Sequence, residues 1–154
     1  MIAVKLFDRA YSKHYGVNLL LLGLAVLYAL IMINLLYFRD RSIHDGLVFN
    51  WTPFDTIKRY VKYRDHFTME AWVKNLFGNL VLFIPIGIFL PLLNTRFARS
   101  LSLVAVCIVI IFFVEMLQML FKVGSFDIDD ILLNTIGAWF GLLLTRRLLM
   151  KKRR

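Results

Sequence analysis

N-L-F-G-N-L-V-L-F-I-P-I-G-I-F-L-P-L-L, residues 75–93, reads as a helix whose solvent is lipid. Apart from Asn75 and Asn79 it offers water almost nothing. At about 1.5 Å per helical residue it is long enough to cross roughly 30 Å of hydrocarbon. Pro85, Pro91, Gly78 and Gly87 would argue against a helix in water. Within a membrane span they are tolerated, because neighbouring helices re-satisfy the carbonyls that proline frees. Three further runs of the same character lie at 17–38, 101–121 and 131–148. The expected fold class is all-α: an integral membrane four-helix transmembrane bundle built by a single domain, residues 1–154.

Composition agrees. Of 154 residues, 60% are hydrophobic and only 19% charged, far from the soluble average. A net charge of +9 on a soluble chain would suggest nucleic acid. Here the cations gather at and beyond the ends of the apolar runs, where their stems snorkel to headgroups, so membrane lipids are the expected partners and nucleic acid is not. Cys107 stands alone, and His14, His44 and His66 are scattered without ligand spacing. The chain has no phosphate-cradling glycine loop and no nucleophile elbow, and no cofactor is expected. The D-x-D-D of Asp127, Asp129 and Asp130 is too weak a pattern to imply a metal.

The run at 17–38 follows Lys5, Arg9 and Lys13, as a signal peptide would. It is too long for a signal h-region and no small-residue cleavage site follows, so it is expected to remain as the first span. With four spans both termini share a side. That side carries 11 of the 19 cations, among them Arg96, Arg99, Arg146, Arg147 and the tail Lys151, Lys152, Arg153 and Arg154. Most of the other eight lie in one long loop. Counted per residue of short loop, the excess predicts cytoplasmic termini in a multi-pass plasma-membrane protein.

The loop from 39 to 74 is too long to be a mere connection. Thr52 and Pro53 read as an N-cap and first helical residue, Asp55 suits the first turn, and Lys62 and Arg64 suit the last. Phe54, Ile57, Tyr60 and Val61 share one face, Lys58, Arg59 and Lys62 another. This pattern predicts a short amphipathic helix at the outer interface. A second segment beginning near Thr68 is expected to run into the second span, with Trp72 at headgroup level.

With this topology, uncommon polar residues converge on the outer side. Asn75 and Asn79, four apart, fall in the outer turns of the second span, and Glu115 and Gln118, three apart, in the outer half of the third. Asp127, Asp129 and Asp130 precede the fourth, with Asn134 one turn inside and Gly137 and Gly141 below on the same face. The glycines form a G-x-x-x-G pair that lets a neighbouring backbone approach closely. An acidic residue ahead of a helix caps its amides, but three exceed what one cap needs. Glu115 is the least ordinary of the set, since a carboxylate within a span costs several kcal/mol unless paired or neutral. Topology offers it Gln118, Asn75, Asn79 or Lys122.

Four stretches, in order, resemble the VanZ-like family of small bacterial membrane proteins: N-W-T-P-F-D-T-I at 50–57, N-L-F-G-N-L-V-L-F-I-P-I-G at 75–87, E-M-L-Q at 115–118 and F-D-I-D-D-I-L-L-N-T-I-G-A at 126–138. The first adds Asn50, Pro53, Phe54 and Thr56 to the candidate site. The resemblance covers the chain from about residue 50 onward. It implies a bacterial cell-envelope protein connected with low-level resistance to the glycopeptide antibiotic teicoplanin and little effect on vancomycin.

Three readings of the polar residues follow. In the first, Asn75, Asn79, Glu115, Gln118, Asp127, Asp129, Asp130 and Asn134 line an outward groove that binds a lipophilic or lipid-linked ligand, teicoplanin or a lipid-linked cell-wall precursor among them. In the second, an intramembrane enzyme modifies an envelope lipid with Glu115 as general base and Asp129 as second carboxylate. In the third, the cluster only braces the bundle. The first is favoured, with a non-enzymatic role, and the oligomeric state is left open.

Overall fold

The computed structural model describes residues 7–38 and 46–150. Lys5, the tail cations from 151 to 154, and the start of the long loop at 39–45, His44 included, lie outside the described residues. Four helices are long and apolar enough to cross a membrane, Tyr15–Tyr37, Met69–Leu93, Ser100–Leu120 and Ile128–Leu149. The chain is an all-α four-helix bundle, and its apolar runs fall where the sequence places them.

In chain order the elements are α1 (Tyr15–Tyr37), β1 (Phe49–Asn50), α2 (Asp55–Lys62), α3 (Met69–Val73), α4 (Asn79–Leu93), α5 (Ser100–Leu120), β2 (Phe126–Asp127) and α6 (Ile128–Thr145). A π turn, Lys74–Gly78, joins α3 to α4 into one span, and α4 runs on through Pro85 and Pro91. The second span therefore starts at Met69. Thr68 sets that start, its hydroxyl accepting the Ala71 amide at 3.2 Å as an N-cap. The fourth span starts at Ile128, capped by Asp127, whose carboxylate accepts the Asp129 amide at 2.9 Å.

The glycines of α4 and α6 explain why these two helices pack most closely. A Cβ on Gly137 would overlap the Leu80 carbonyl oxygen, one on Gly141 that of Ile84, and one on Gly87 that of Ala138. Backbone lies on backbone, the arrangement a G-x-x-x-G pair permits. Lower in the same seam the Thr145 hydroxyl bonds the carbonyls of Gly87 (3.2 Å) and Gly141 (2.9 Å), so a hydroxyl buried in α6 is satisfied without leaving the interface. Around this seam Phe83, Leu103, Cys107, Ile111, Ala138 and Leu142 form the apolar core.

Helix α1 sits at the margin with most of its apolar surface exposed, as a lipid-facing helix should. Polar contacts tie it to the others: Tyr28 donates to the Leu82 carbonyl, Tyr37 to that of Val114 (3.1 Å), and the Gln118 amide to that of Leu36 (2.9 Å). Gln118→Leu is expected to loosen α1 by about 0.6–2 kcal/mol, the usual worth of an interhelical hydrogen bond in a membrane. The readout is a modestly lowered melting point in detergent with the bundle still assembled.

The ends of the bundle are distinct. At one, the Tyr11 amide donates to the Leu92 carbonyl (2.9 Å), the Thr95 amide to that of Arg9 (2.8 Å), and Arg146 Nε to that of Ala98 (2.9 Å). At the other, β1 pairs in parallel with β2, Phe49 opposite Phe126 and Asn50 opposite Asp127. Residues preceding α1, the α4–α5 connection and the end of α6 thus share one end, and the long loop meets the α5–α6 connection at the other.

Candidate functional site

The site begins with two residues of strand. Asn50 and Asp127, register partners in the parallel pair, bring the long loop onto the start of α6. Asn50 closes a local turn by accepting the Thr52 amide on its Oδ1 (3.0 Å), and its Nδ2 reaches Thr56 Oγ1 (3.1 Å) and Asp127 Oδ1 (3.4 Å). Thr56 in turn donates its hydroxyl to Asp127 Oδ2 at 2.6 Å. Trp51 lies over Phe126, ring centroids 4.4 Å apart, and covers the pair.

Asp129 carries the most informative geometry. Its side chain is 0% exposed, yet both oxygens are bonded: Oδ1 accepts the Phe54 amide at 2.6 Å and Oδ2 the Ile57 amide at 3.1 Å. These amides open α2, so a carboxylate from α6 caps a helix more than 70 residues earlier in the chain. The expected cap at Thr52 with Pro53 at the first helical position is corrected accordingly: α2 begins at Asp55, and Phe54 before it is left-handed at φ 65°. A left-handed L-residue costs roughly 1–2 kcal/mol. The charge-assisted bonds to Asp129 hold it there, and the helix's positive end suits the anion.

The remaining predicted residues divide. Glu115, 3% exposed, turns Oε2 to the Asp127 backbone amide at 3.3 Å, a donor absent from the partners topology offered it. Asn79 donates to the Asp130 carboxylate and joins α4 to α6. Asn134 is 2% exposed, and its Oδ1 has no hydrogen-bond partner among the described residues. Gln118 leaves the cluster for α1. Asn75 is not brought in either: it is exposed and donates to the Ala71 carbonyl of its own helix at 2.7 Å. Its side chain turns back along its own helix, from within the π turn that joins α3 to α4. Pro53 stays exposed in the turn before α2. Lys122 is exposed beyond α5 at φ 58°.

On α2 the shared apolar face is only partly used. Ile57 and Tyr60 are half-buried, whereas Phe54 and Val61 are exposed. Burial first, and then the Asp130 carboxylate, raise the Tyr60 hydroxyl above its ordinary range, with Arg59 opposing. A raised value favours the neutral phenol in the folded chain. That contribution is therefore complete below about pH 10, and is lost as pH rises through the raised value.

Sequence reasoning missed Asn18 and Thr145. Asn18, 2% exposed in the first turn of α1, donates to the Ser12 carbonyl at 3.1 Å. Both were visible as polar residues inside apolar runs. The β1–β2 pairing carried no such signal, since two residues show no periodicity. Among the described residues no group of three or more His, Cys, Asp or Glu is placed to hold a metal ion.

Fold and site together define a class: a multi-pass helical membrane protein in which a long loop is fastened to the bundle by buried carboxylates. Comparison with known proteins narrows it. The VanZ/LLP1 family model matches residues 20–150, and the chain belongs to that family. It is similar to Protein VanZ of Enterococcus faecium, 34% identical over 80 residues. That match takes in 51% of this chain and 48% of the relative, so the chain spans about half the length of the curated relative it matches. No solved structure matches.

Proposed function

We propose that this chain is a non-enzymatic membrane protein that lowers susceptibility to teicoplanin by binding a lipophilic or lipid-linked ligand at the outer leaflet, its termini being cytoplasmic. The observation that carries the reading is the use of the carboxylates. Glu115, the candidate base, is 3% exposed with Oε2 on the Asp127 amide, Asp129 is fully enclosed with both oxygens on backbone amides, and Asp127 is occupied by Thr56, Asn50 and the Asp129 amide. A general base must reach the proton it abstracts, and groups so enclosed serve instead to fix a loop in place. The loop they fix carries Lys58, Arg59, Lys62 and Arg64 together with exposed Phe54, Val61 and Tyr63. Cations and aromatic side chains on one rigid segment suit a ligand with both a charged head and an apolar tail. The family resemblance points the same way, since teicoplanin carries an acyl chain that vancomycin lacks.

The test is expression of the chain in a teicoplanin-susceptible host, with both antibiotics titrated and envelope lipids extracted. The expected result is at least a several-fold rise in the inhibitory concentration of teicoplanin, little change for vancomycin, and lipids identical to the control. Equal protection against both drugs, or a modified lipid, would contradict the reading.

A further inference from the structure

We propose that the cleft where the long loop enters the second span binds the phosphorylated headgroup of a lipid, through Arg64 and Asp65. This deepens the function proposed above and rests on its reading of the loop as a ligand platform. The cleft is half open, offers about 300 Å³ and is lined by Arg64, Asp65, Phe67, Met69 and Trp72. That volume lies at the small end of the about 300–1,000 Å³ typical of small-molecule sites, and suits a headgroup rather than a whole antibiotic.

Position favours a lipid. The helix of the second span begins at Met69, itself a wall of the cleft, shortly before the apolar run that opens at residue 75. The cleft therefore sits where a helix leaves hydrocarbon, at the level of lipid phosphates and of the tryptophans that favour the interface. Two of its walls are held by the preceding helix. Trp72 donates its indole N–H to the Tyr60 carbonyl at 3.1 Å, and the Phe67 ring packs on Tyr60 with centroids 4.5 Å apart.

Charge selects the headgroup. Of the cations on the loop and at the start of the span, Arg59 is bridged to Asp55 (2.6 Å) and Lys74 to Glu70 (2.7 Å), and Arg64 is the one that lines the cleft. Arg64 differs. Among the described residues it has no ion pair, and its guanidinium rests 5.1 Å from the centre of the Trp72 ring. An arginine oriented by an aromatic face keeps its N–H fork for an anion, and phosphate oxygens match that fork in pairs. Asp65 gives the same cleft an acceptor for a hydroxyl or ammonium on the headgroup. Exposed Met69 and the Phe67 ring supply an apolar edge for the first methylenes of an acyl chain. Inorganic phosphate shares the anion chemistry but lacks both the carbon-borne donor and the chain.

The test uses the full chain purified in detergent and titrated with a short-chain phosphatidylglycerol, with inorganic phosphate and a short-chain diacylglycerol as separate arms. The phosphatidylglycerol is expected to bind at least about tenfold more tightly than either other probe. Arg64→Gln is expected to weaken it roughly tenfold, the order a lost charge-assisted pair produces. Asp65→Asn should weaken it less, and Arg64→Lys should recover part of the loss. Arg64 and Asp65 are exposed, and unchanged melting of the variants confirms intact folding. Equal affinity in wild type and Arg64→Gln overturns the site, as does phosphate binding as tightly as the lipid. Teicoplanin susceptibility of cells carrying Arg64→Gln separates the two proposals. Weakened lipid binding with protection retained supports the headgroup site and overturns its part in protection, whereas unchanged lipid binding overturns the site whatever the cells show.

Discussion

Gly137→Ala is expected to leave little assembled protein to extract from the membrane. The added Cβ would overlap the Leu80 carbonyl oxygen of α4, and the same carbonyl carbon and Cα stand close behind it. Backbone does not yield as the end of a flexible side chain does, so the helices must separate. Separation also disturbs the contacts of Gly141 with Ile84 and of Gly87 with Ala138, and moves the Thr145 hydroxyl from the Gly87 carbonyl. The loss should reach or exceed the about 1–3 kcal/mol usual for overpacking, because one methyl opens an entire seam. Gly23→Ala in α1 is the control: nothing lies within 4 Å of its Cβ. Detergent-extracted yield and melting measure both. Gly23→Ala should match wild type, and a normally assembled Gly137→Ala would contradict the close packing of α4 and α6.

Asp129→Ala is expected to release the loop while sparing the four spans. It removes both acceptors of the Phe54 and Ile57 amides, and a buried donor left unsatisfied costs about 1–3 kcal/mol. It also removes the anion at the start of α2 and the restraint on a left-handed Phe54. The seam between α4 and α6 lies further along the helix at Gly137 and Gly141 and should persist. Protein level and α-helical content should stay near wild type, and protease sensitivity in residues 46–67 should rise. Under the proposed function, teicoplanin protection falls by most of its amplitude with it. Loss of the whole protein would instead mean that Asp129 braces the bundle itself.

The four spans were legible because a membrane crossing demands about twenty apolar residues, and each run shows that length without ambiguity. The G-x-x-x-G seam was legible for a similar reason, as only small residues admit a second backbone. Convergence of Asn79, Asp127, Asp129, Asp130 and Glu115 on one end followed from topology alone. Their individual bonds did not. Asp129 reads locally as one of three acids before a helix, and nothing near it in sequence reveals that its partners are the amides of residues 54 and 57. Thr52 and Pro53 read as a cap because local rules assume that a helix caps itself, whereas here the acceptor comes from α6. Asn75 was placed with Asn79 by their four-residue spacing, which does not reveal that its side chain bonds the Ala71 carbonyl of its own helix.

The account turns on whether buried carboxylates fasten the loop, and amide hydrogen exchange reads that fastening at its own atoms. In wild type the Phe54 and Ile57 amides should exchange slowly. In Asp129→Asn, where an amide nitrogen replaces one acceptor oxygen, at least one of the two should exchange faster by roughly tenfold or more while amides in the middle of α6 stay protected. Rapid exchange of both amides in wild type, or identical exchange in the variant, would contradict the account.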